Sequence, residues 1–128
     1  MILVDNSVVV EYQRSADPKL LHLFQTLSVG VCGLTRAEFL HGGRSPAERA
    51  FYMRILALFG SVSIPDALWG TVGDNLALLR SKGVTIPFAD VAVATVAIAN
   101  GYELWARDHH FPLVQSVLPA LRLFVEPP

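Results

Sequence analysis

The chain begins Met1-Ile2-Leu3-Val4-Asp5-Asn6-Ser7, and this stretch limits the folds open to it more than any other. Three apolar residues without polar alternation suit a strand covered on both faces, as in a parallel sheet. The run ends on a carboxylate. Asp5 is therefore expected at the carboxyl end of a central strand, which is where α/β sheets bind their ligands. Asn6 or Ser7 is expected to cap the helix that follows, because both side chains accept from free backbone N–H groups. A plainer reading makes Asp5 itself a helix cap and nothing more.

The rest of the chain alternates in the same way. Val8 to Arg14 reads as a first helix. Asp17-Pro18 opens a second, with Leu20, Leu21, Phe24 and Leu27 at helical spacing. Ser28 to Cys32 reads as a second strand. Thr35 is expected to cap a helical turn carrying Glu38, which then stands at the capping-box position. A loop over His41 to Pro46 leads into a helix from Ala47 to Phe59. Gly60-Ser61 reads as a break and Val62 to Ile64 as a third strand. Asp66 is expected to cap a long helix that stops at Lys82-Gly83. Val84 to Ile86 suggests a short strand, and the alanine-rich run from Phe88 a helix packed close to the sheet. Glu103 to Ala106, Phe111 to Leu118 and Leu121 to Val125 read as strand, helix and strand, with Glu126-Pro127-Pro128 fraying. The crossovers are long enough for right-handed parallel connections. The predicted architecture is a single α/β domain over residues 1–128, a three-layer α/β/α sandwich with a mostly parallel central sheet.

Composition narrows the function. The chain is 52% apolar, with mean hydropathy +0.44, enough for a core on both faces of a sheet and for a partner interface besides. Ten basic and eleven acidic residues leave a net charge of -1. No global positive field marks a nucleic-acid binder, so such a ligand has to be held locally or through cations. The one cysteine, Cys32, excludes an internal disulfide, fits a reducing compartment and reads as a buried, inert thiol. No basic leader precedes the apolar start, and the longest apolar stretch, Phe88 to Ile98, is interrupted by Asp90. A cytoplasmic protein without membrane association is expected. Trp69 and Trp105 lie in apolar contexts and are expected in the core. His22 and His41 are scattered, and no Cys–His spacing indicates zinc.

The acids carry the chemistry. Asp5 ends the first strand, Glu38 lies about a turn beyond the second, Asp90 starts the helix after Ile86, and Asp108 follows the strand containing Leu104. In a parallel sheet all strand carboxyl ends share one edge, so four acids from distant parts of the chain can meet there. Like charges held close are unfavourable. They persist only if protonated, paired with cations or bound to metal. A cluster of carboxylate oxygens suits magnesium or manganese, and such an ion polarises a phosphodiester and lowers the pKa of water. Helix capping is the competing explanation for Asp5, Asp66, Asp90 and Glu38.

The ordered set Ile2-Leu3-Val4-Asp5-Asn6-Ser7, Glu38 followed by Gly42, Ile86-Pro87-Phe88-Ala89-Asp90 and Arg107-Asp108-His109-His110-Phe111 resembles the PIN-domain family. More narrowly it is similar to the VapC-type toxins of toxin–antitoxin pairs, over nearly the whole chain. The resemblance implies a Mg²⁺- or Mn²⁺-dependent endoribonuclease with Asp5, Glu38, Asp90 and Asp108 as catalytic acids. Of these, Asp5, Asp90 and Asp108 are the implied metal ligands and Glu38 an orienter of water. Asn6, Ser7, Arg107 and His110 are supporting residues, with Arg107 placed either on the RNA backbone or in an ion pair with a local acid. Arg44 and Arg49 are candidate RNA contacts. A cognate antitoxin and a homodimer are the implied partners, with the apolar helices around Val8 to Leu27 and Ala47 to Phe59 as candidate docking faces. Two departures stand out: Ala106 where the family often has Thr, and His110 where a further acid is frequent. Rival readings are a non-catalytic α/β interaction module and a metal-dependent DNA nuclease. A receiver-like phosphoacceptor is disfavoured, because no acid ends the third strand.

Overall fold

The computed structural model describes residues 1–128. Five strands and seven helices follow one another: β1 (Ile2–Val4), α1 (Asn6–Ser15), α2 (Pro18–Thr26), β2 (Val29–Cys32), α3 (Gly33–His41), α4 (Pro46–Leu56), β3 (Gly60–Val62), α5 (Leu68–Ser81), α6 (Phe88–Asn100), β4 (Glu103–Trp105), α7 (His110–Val117) and β5 (Arg122–Leu123). The sheet order is β3-β2-β1-β4-β5, and every pairing is parallel. β1 is thus the central strand, as its unbroken apolar run requires.

Side chains alternate across the sheet and supply two cores. Leu3, Cys32 and Leu104 face α5, α6 and α7, where Val72, Leu79, Val91 to Ala97, Phe111 and Val114 meet them. Val4, Val31 and Trp105 face the other layer, with Val8, Val9, Leu20, Phe24, Phe39, Ile55 and Leu56 from α1 to α4. The period-two pleat explains why neighbouring residues of one short strand serve different cores. Trp105 is fully buried, stacked on Phe124 at 4.8 Å and tilted against Phe24 at 5.3 Å. The small residues Ala92, Ala94 and Ala97 let α6 lie close to its neighbours, and all three are inaccessible.

Several local expectations change. Val84 to Ile86 is not a strand. The Val84 N–H is donated to the Leu79 carbonyl and that of Gly83 to Arg80, a Schellman closure of α5 that commits the backbone to the helix end. Gly83 adopts the left-handed φ of 75° this closure needs. The third strand begins at Gly60, with Gly30 opposite Gly60 in the register. A Cβ at Gly30 would come within 2.9 Å of Met1 and Val62 side chains, so glycine serves close strand packing there. Thr35 caps nothing: α3 starts at Gly33, its N-cap Cys32 makes no side-chain cap bond, and Thr35 is buried inside the helix with its hydroxyl 3.7 Å from Cys32 Sγ. Glu38 is therefore free of the capping box. Asp66 does not cap α5 through its side chain, since the N-cap is Ala67. Asp17 does cap α2, accepting from the Lys19 N–H.

Gly83→Ala is expected to destabilise the fold by about 1 kcal/mol, the cost of a left-handed non-glycine residue. No neighbour lies within 4 Å of the added Cβ, so the loss is conformational alone and appears as a lower urea midpoint with an unchanged slope.

Candidate functional site

Asp5 and Asp108 lie between a strand and the helix that follows it, and Asp90 lies in the first turn of a helix entered from the loop after α5. Asp5 follows β1 and is 4% exposed. Its Oδ2 accepts from the Ser7 N–H at 3.0 Å and from the Ser7 hydroxyl at 2.6 Å. Asp5 itself thus caps α1, not Asn6 or Ser7. The Ser7 oxygen in turn accepts from the Arg107 N–H at 3.0 Å, and the Asp5 N–H is donated to the Trp105 carbonyl. The ends of β1 and β4 are tied together at the carboxylate. Both Ser7 bonds fall on Oδ2, which leaves Oδ1 unspent.

Asp90 lies in the first turn of α6, and its Oδ2 is 2.8 Å from His110 Nδ1. Asp108 precedes α7. Its Oδ1 accepts from the His110 N–H at 2.9 Å and lies 3.2 Å from His110 Nδ1. His110 therefore bridges two of the acids. The ligand atoms that all lie within 4.8 Å of one another are those of Asp108, His109 and His110, not the three aspartates. Glu38 projects from the middle of α3. Arg36, two residues before it, bonds the Ser61 hydroxyl instead.

The electrostatics show that the four acids share one field. Burial raises the Asp5 carboxyl above its ordinary value, and the charge of Asp108 adds to this, against the bonds from Ser7 and Asn6. Asp90 is raised by burial and by Asp5 and Asp108, opposed by His110. Glu38 is raised by burial and by Asp5 and Asp90. Asp5, Asp90 and Glu38 thus each hold a proton more tightly than an ordinary carboxyl.

The remaining predicted residues divide. Asn6 Oδ1 is buried without a hydrogen-bond partner, an unspent acceptor next to Asp5 in sequence. The Arg107 guanidinium turns away from the cluster to Glu126, with Nε at 2.9 Å and Nη2 at 2.7 Å from its two oxygens, and Glu11 lies 3.8 Å off. Glu126 raises Arg107 and is itself lowered by it. Arg107 serves the site through its backbone N–H. Arg44 and Arg49 are exposed, on the turn before α4 and on α4 itself. Glu126 was expected to fray. Instead it also accepts from the buried Trp105 indole N–H at 3.0 Å. That N–H needs a partner, and this was the available signal.

A hard divalent cation fits these residues. Asp5 Oδ1, Asp90 Oδ1, Asp108 Oδ2 and the Glu38 oxygens are hard donors outside the hydrogen bonds just described, and no ion pair to Arg or Lys engages these acids.

No family model matches the sequence and no curated protein does. Solved structures do match. A chain of the VapBC2 complex from Rickettsia felis, bound to a DNA fragment from its promoter, superposes with a TM-score of 0.82 at 18% identity, covering 97% of this chain and 98% of that one. A chain of DNA-bound VapBC from Salmonella typhimurium gives 0.80 at 13% identity, covering 96% of each. A chain of FitAcB from Neisseria gonorrhoeae gives 0.76 at 19% identity, covering 98% and 97%. The chain has the PIN-like α/β/α fold of these toxin–antitoxin components, with a sheet that is wholly parallel.

The raised carboxyls make a pH prediction. Acids whose folded pKa lies above the unfolded value bind more protons when folded, so they favour the fold at low pH and lose that contribution as pH rises through the folded pKa. Asp90→Asn in chelated protein should therefore melt higher than wild type at pH 8, with the advantage shrinking towards pH 4. Adding Mn²⁺ at pH 8 should raise the melting temperature of wild type and leave the variant nearly unchanged.

Proposed function

We propose that the chain is a Mg²⁺- or Mn²⁺-dependent endoribonuclease and the toxin of a type II toxin–antitoxin pair. What supports this is that His110 joins Asp90 to Asp108, that Asp5, Asp90 and Asp108 act on the charge of one another or of Glu38, and that the fold's solved neighbours belong to VapBC complexes. RNA as the polymer follows from the family resemblance.

In this reading Asp5, Asp90 and Asp108 hold the cation, with oxygens already turned from their protein partners. When bound, the cation supplies Lewis acidity towards the scissile phosphate and the attacking water. Ser7 fixes the Asp5 carboxylate through Oδ2 and keeps Oδ1 directed to the site. His110 orients Asp90 and Asp108 together. Glu38, the most solvent-accessible of the four, orients the water in line with the phosphodiester and takes its proton on a carboxylate oxygen. The Arg107 N–H to the Ser7 hydroxyl locks this arrangement, so Arg107 supports it from the backbone. Arg44 and Arg49 are free to meet phosphates further along the strand.

The antitoxin is proposed to dock between α1, α2 and α4. A groove of about 280 Å³ opens there beside Tyr12, Ala16, Leu21, Phe51 and Leu58, and Phe51 and Met53 are 42% and 48% exposed. Exposed aromatic and thioether groups of this kind suit an apolar partner segment. No helix is long and apolar enough to cross a membrane. A cytoplasmic site of action and a homodimer complete the proposal.

Purified protein should cleave structured RNA with Mg²⁺ or Mn²⁺ and not with chelator, and Asp5→Asn and Asp90→Asn should abolish cleavage while remaining folded. Ser7→Ala should lower activity or metal affinity about 10–100-fold, the usual cost of losing a group that orients a ligand. Unchanged cleavage in both folded aspartate variants would sink the assignment, and cleavage of DNA alone would redirect it to a DNA nuclease. Phe51→Glu should weaken co-purification with the antitoxin and leave RNA cleavage intact.

A further inference from the structure

Trp69, expected in the core, is 38% exposed, and Phe88 beside it is 53% exposed. Their rings are parallel to within 6°, with centroids 6.2 Å apart. Two large aromatic faces left open to water form a costly surface for a chain with room to bury them. The pair also has a definite place. Phe88 begins α6, two residues before Asp90. Trp69 forms one wall of an open groove of about 620 Å³ whose other lining includes Arg36, Ala37, Ser61 and Ser63. The lining also takes in Gly33 and Leu34 of α3, the helix that carries Glu38.

The groove joins an apolar lining, with Val31, Leu34, Val62 and Ile64, to one cationic side chain. Arg36 bonds the Ser61 hydroxyl at 3.0 Å, and the ion pairs of the protein involve Arg107, His109 and His110, leaving the Arg36 guanidinium without a carboxylate. A cation without a counter-charge next to a flat aromatic face offers a phosphate contact and a stacking surface side by side. Single-stranded nucleic acids are held in this way, because every base has a π face. A duplex would not expose a base to the ring.

We propose that Trp69 and Phe88 form a stacking subsite for an unpaired nucleobase flanking the scissile bond, with Arg36 holding an adjacent phosphate. The inference rests on the nuclease reading for the identity of the ligand, and it narrows the substrate to RNA that is single-stranded beside the cut. Trp69 and Phe88 are positioning residues: they touch the substrate away from the reacting atoms.

The test reads binding apart from cleavage. The chain has two tryptophans, and Trp105 is buried, so the accessible indole signal comes from Trp69. Titration of the intact chain in chelator with a short oligoadenylate should quench that signal saturably, and an abasic oligomer of equal length should not. Trp69→Leu and Phe88→Leu, read by anisotropy of a labelled oligoadenylate, should each bind on the order of ten-fold more weakly, the scale of one lost base–aromatic stack. In Mg²⁺ or Mn²⁺ their KM for single-stranded RNA should rise by a similar factor with kcat unchanged. Equal quenching by the abasic oligomer, or wild-type affinity and KM in both folded variants, overturns the subsite. So does a fall in solution mass in Trp69→Leu with RNA affinity unaltered, which assigns the face to a second copy of the chain. Base-dependent quenching without metal-dependent cleavage would keep the subsite and reject the nuclease reading, whereas cleavage lost in Asp90→Asn with variants of wild-type KM would do the reverse.

Discussion

A carboxylate that is 4% exposed stands at the end of the central strand, and much of the surrounding structure exists to keep it there. Taking an ion out of water costs several kcal/mol unless partners replace its hydration. Asp5 receives the Ser7 N–H and hydroxyl on one oxygen and lies at the amino end of α1, where free backbone N–H groups favour negative charge. These contributions are incomplete. Burial still dominates, and Asp108 works in the same direction. The fold tolerates a strained electrostatic arrangement in return for a fixed carboxylate, the usual sign that a local rule has yielded to a site.

The parallel topology explains why the acids meet. β1 and β4 deliver Asp5 and Asp108 to the same edge before α1 and α7 begin, and the loop after α5 brings Asp90 into the first turn of α6, so all three lie by the amino ends of helices. Each such end offers some positive potential, which offsets part of the mutual repulsion without supplying a counter-ion. Glu38 differs. It rises from the middle of α3, has no helix end to compensate it, and is more accessible than the others. Three acids are therefore wholly or partly buried and one is exposed, a division that suits the ligand and water-orienting roles proposed for them.

What the sequence made legible was set by local signals strong enough to survive packing. The apolar run into Asp5 placed β1 at the centre, and Asp17-Pro18 marked α2 correctly because capping and a proline at the first helical position act within a few residues. The errors came where the deciding contact was distant. Val84 to Ile86 has strand composition, but the left-handed Gly83 folds Val84 back onto Leu79. Thr35 and Glu38 match a capping box, but α3 starts directly from β2 and buries Thr35. Trp69 has apolar neighbours in sequence, yet the start of α5 leaves it beside Phe88 at the surface. Arg107 stands next to Asp108 in the chain, but Glu126, nineteen residues on, supplies a two-point match for its guanidinium.

These details bear on the choice between capping and chemistry. If the acids were only caps, each should spend its oxygens on helix N–H groups. Asp5 does so with one oxygen, and Asp108 does so towards His110. Asp90 does not: α6 is entered from Pro87 without a side-chain cap, and the Asp90 oxygen that is engaged meets an imidazole. Glu38 has no cap to make. Two of four carboxylates therefore contribute nothing to helix starts while adding repulsion to a buried neighbour. The nearest guanidinium in sequence, Arg107, is drawn off to the other side by Glu126 and the Trp105 indole. The cluster is left with His110 as its side-chain nitrogen partner, which meets only one oxygen of Asp90 and one of Asp108. Such a cluster costs a fold that has only stability to serve, and carboxylate oxygens left outside the protein's own bonds are the donors that the proposed divalent cation prefers.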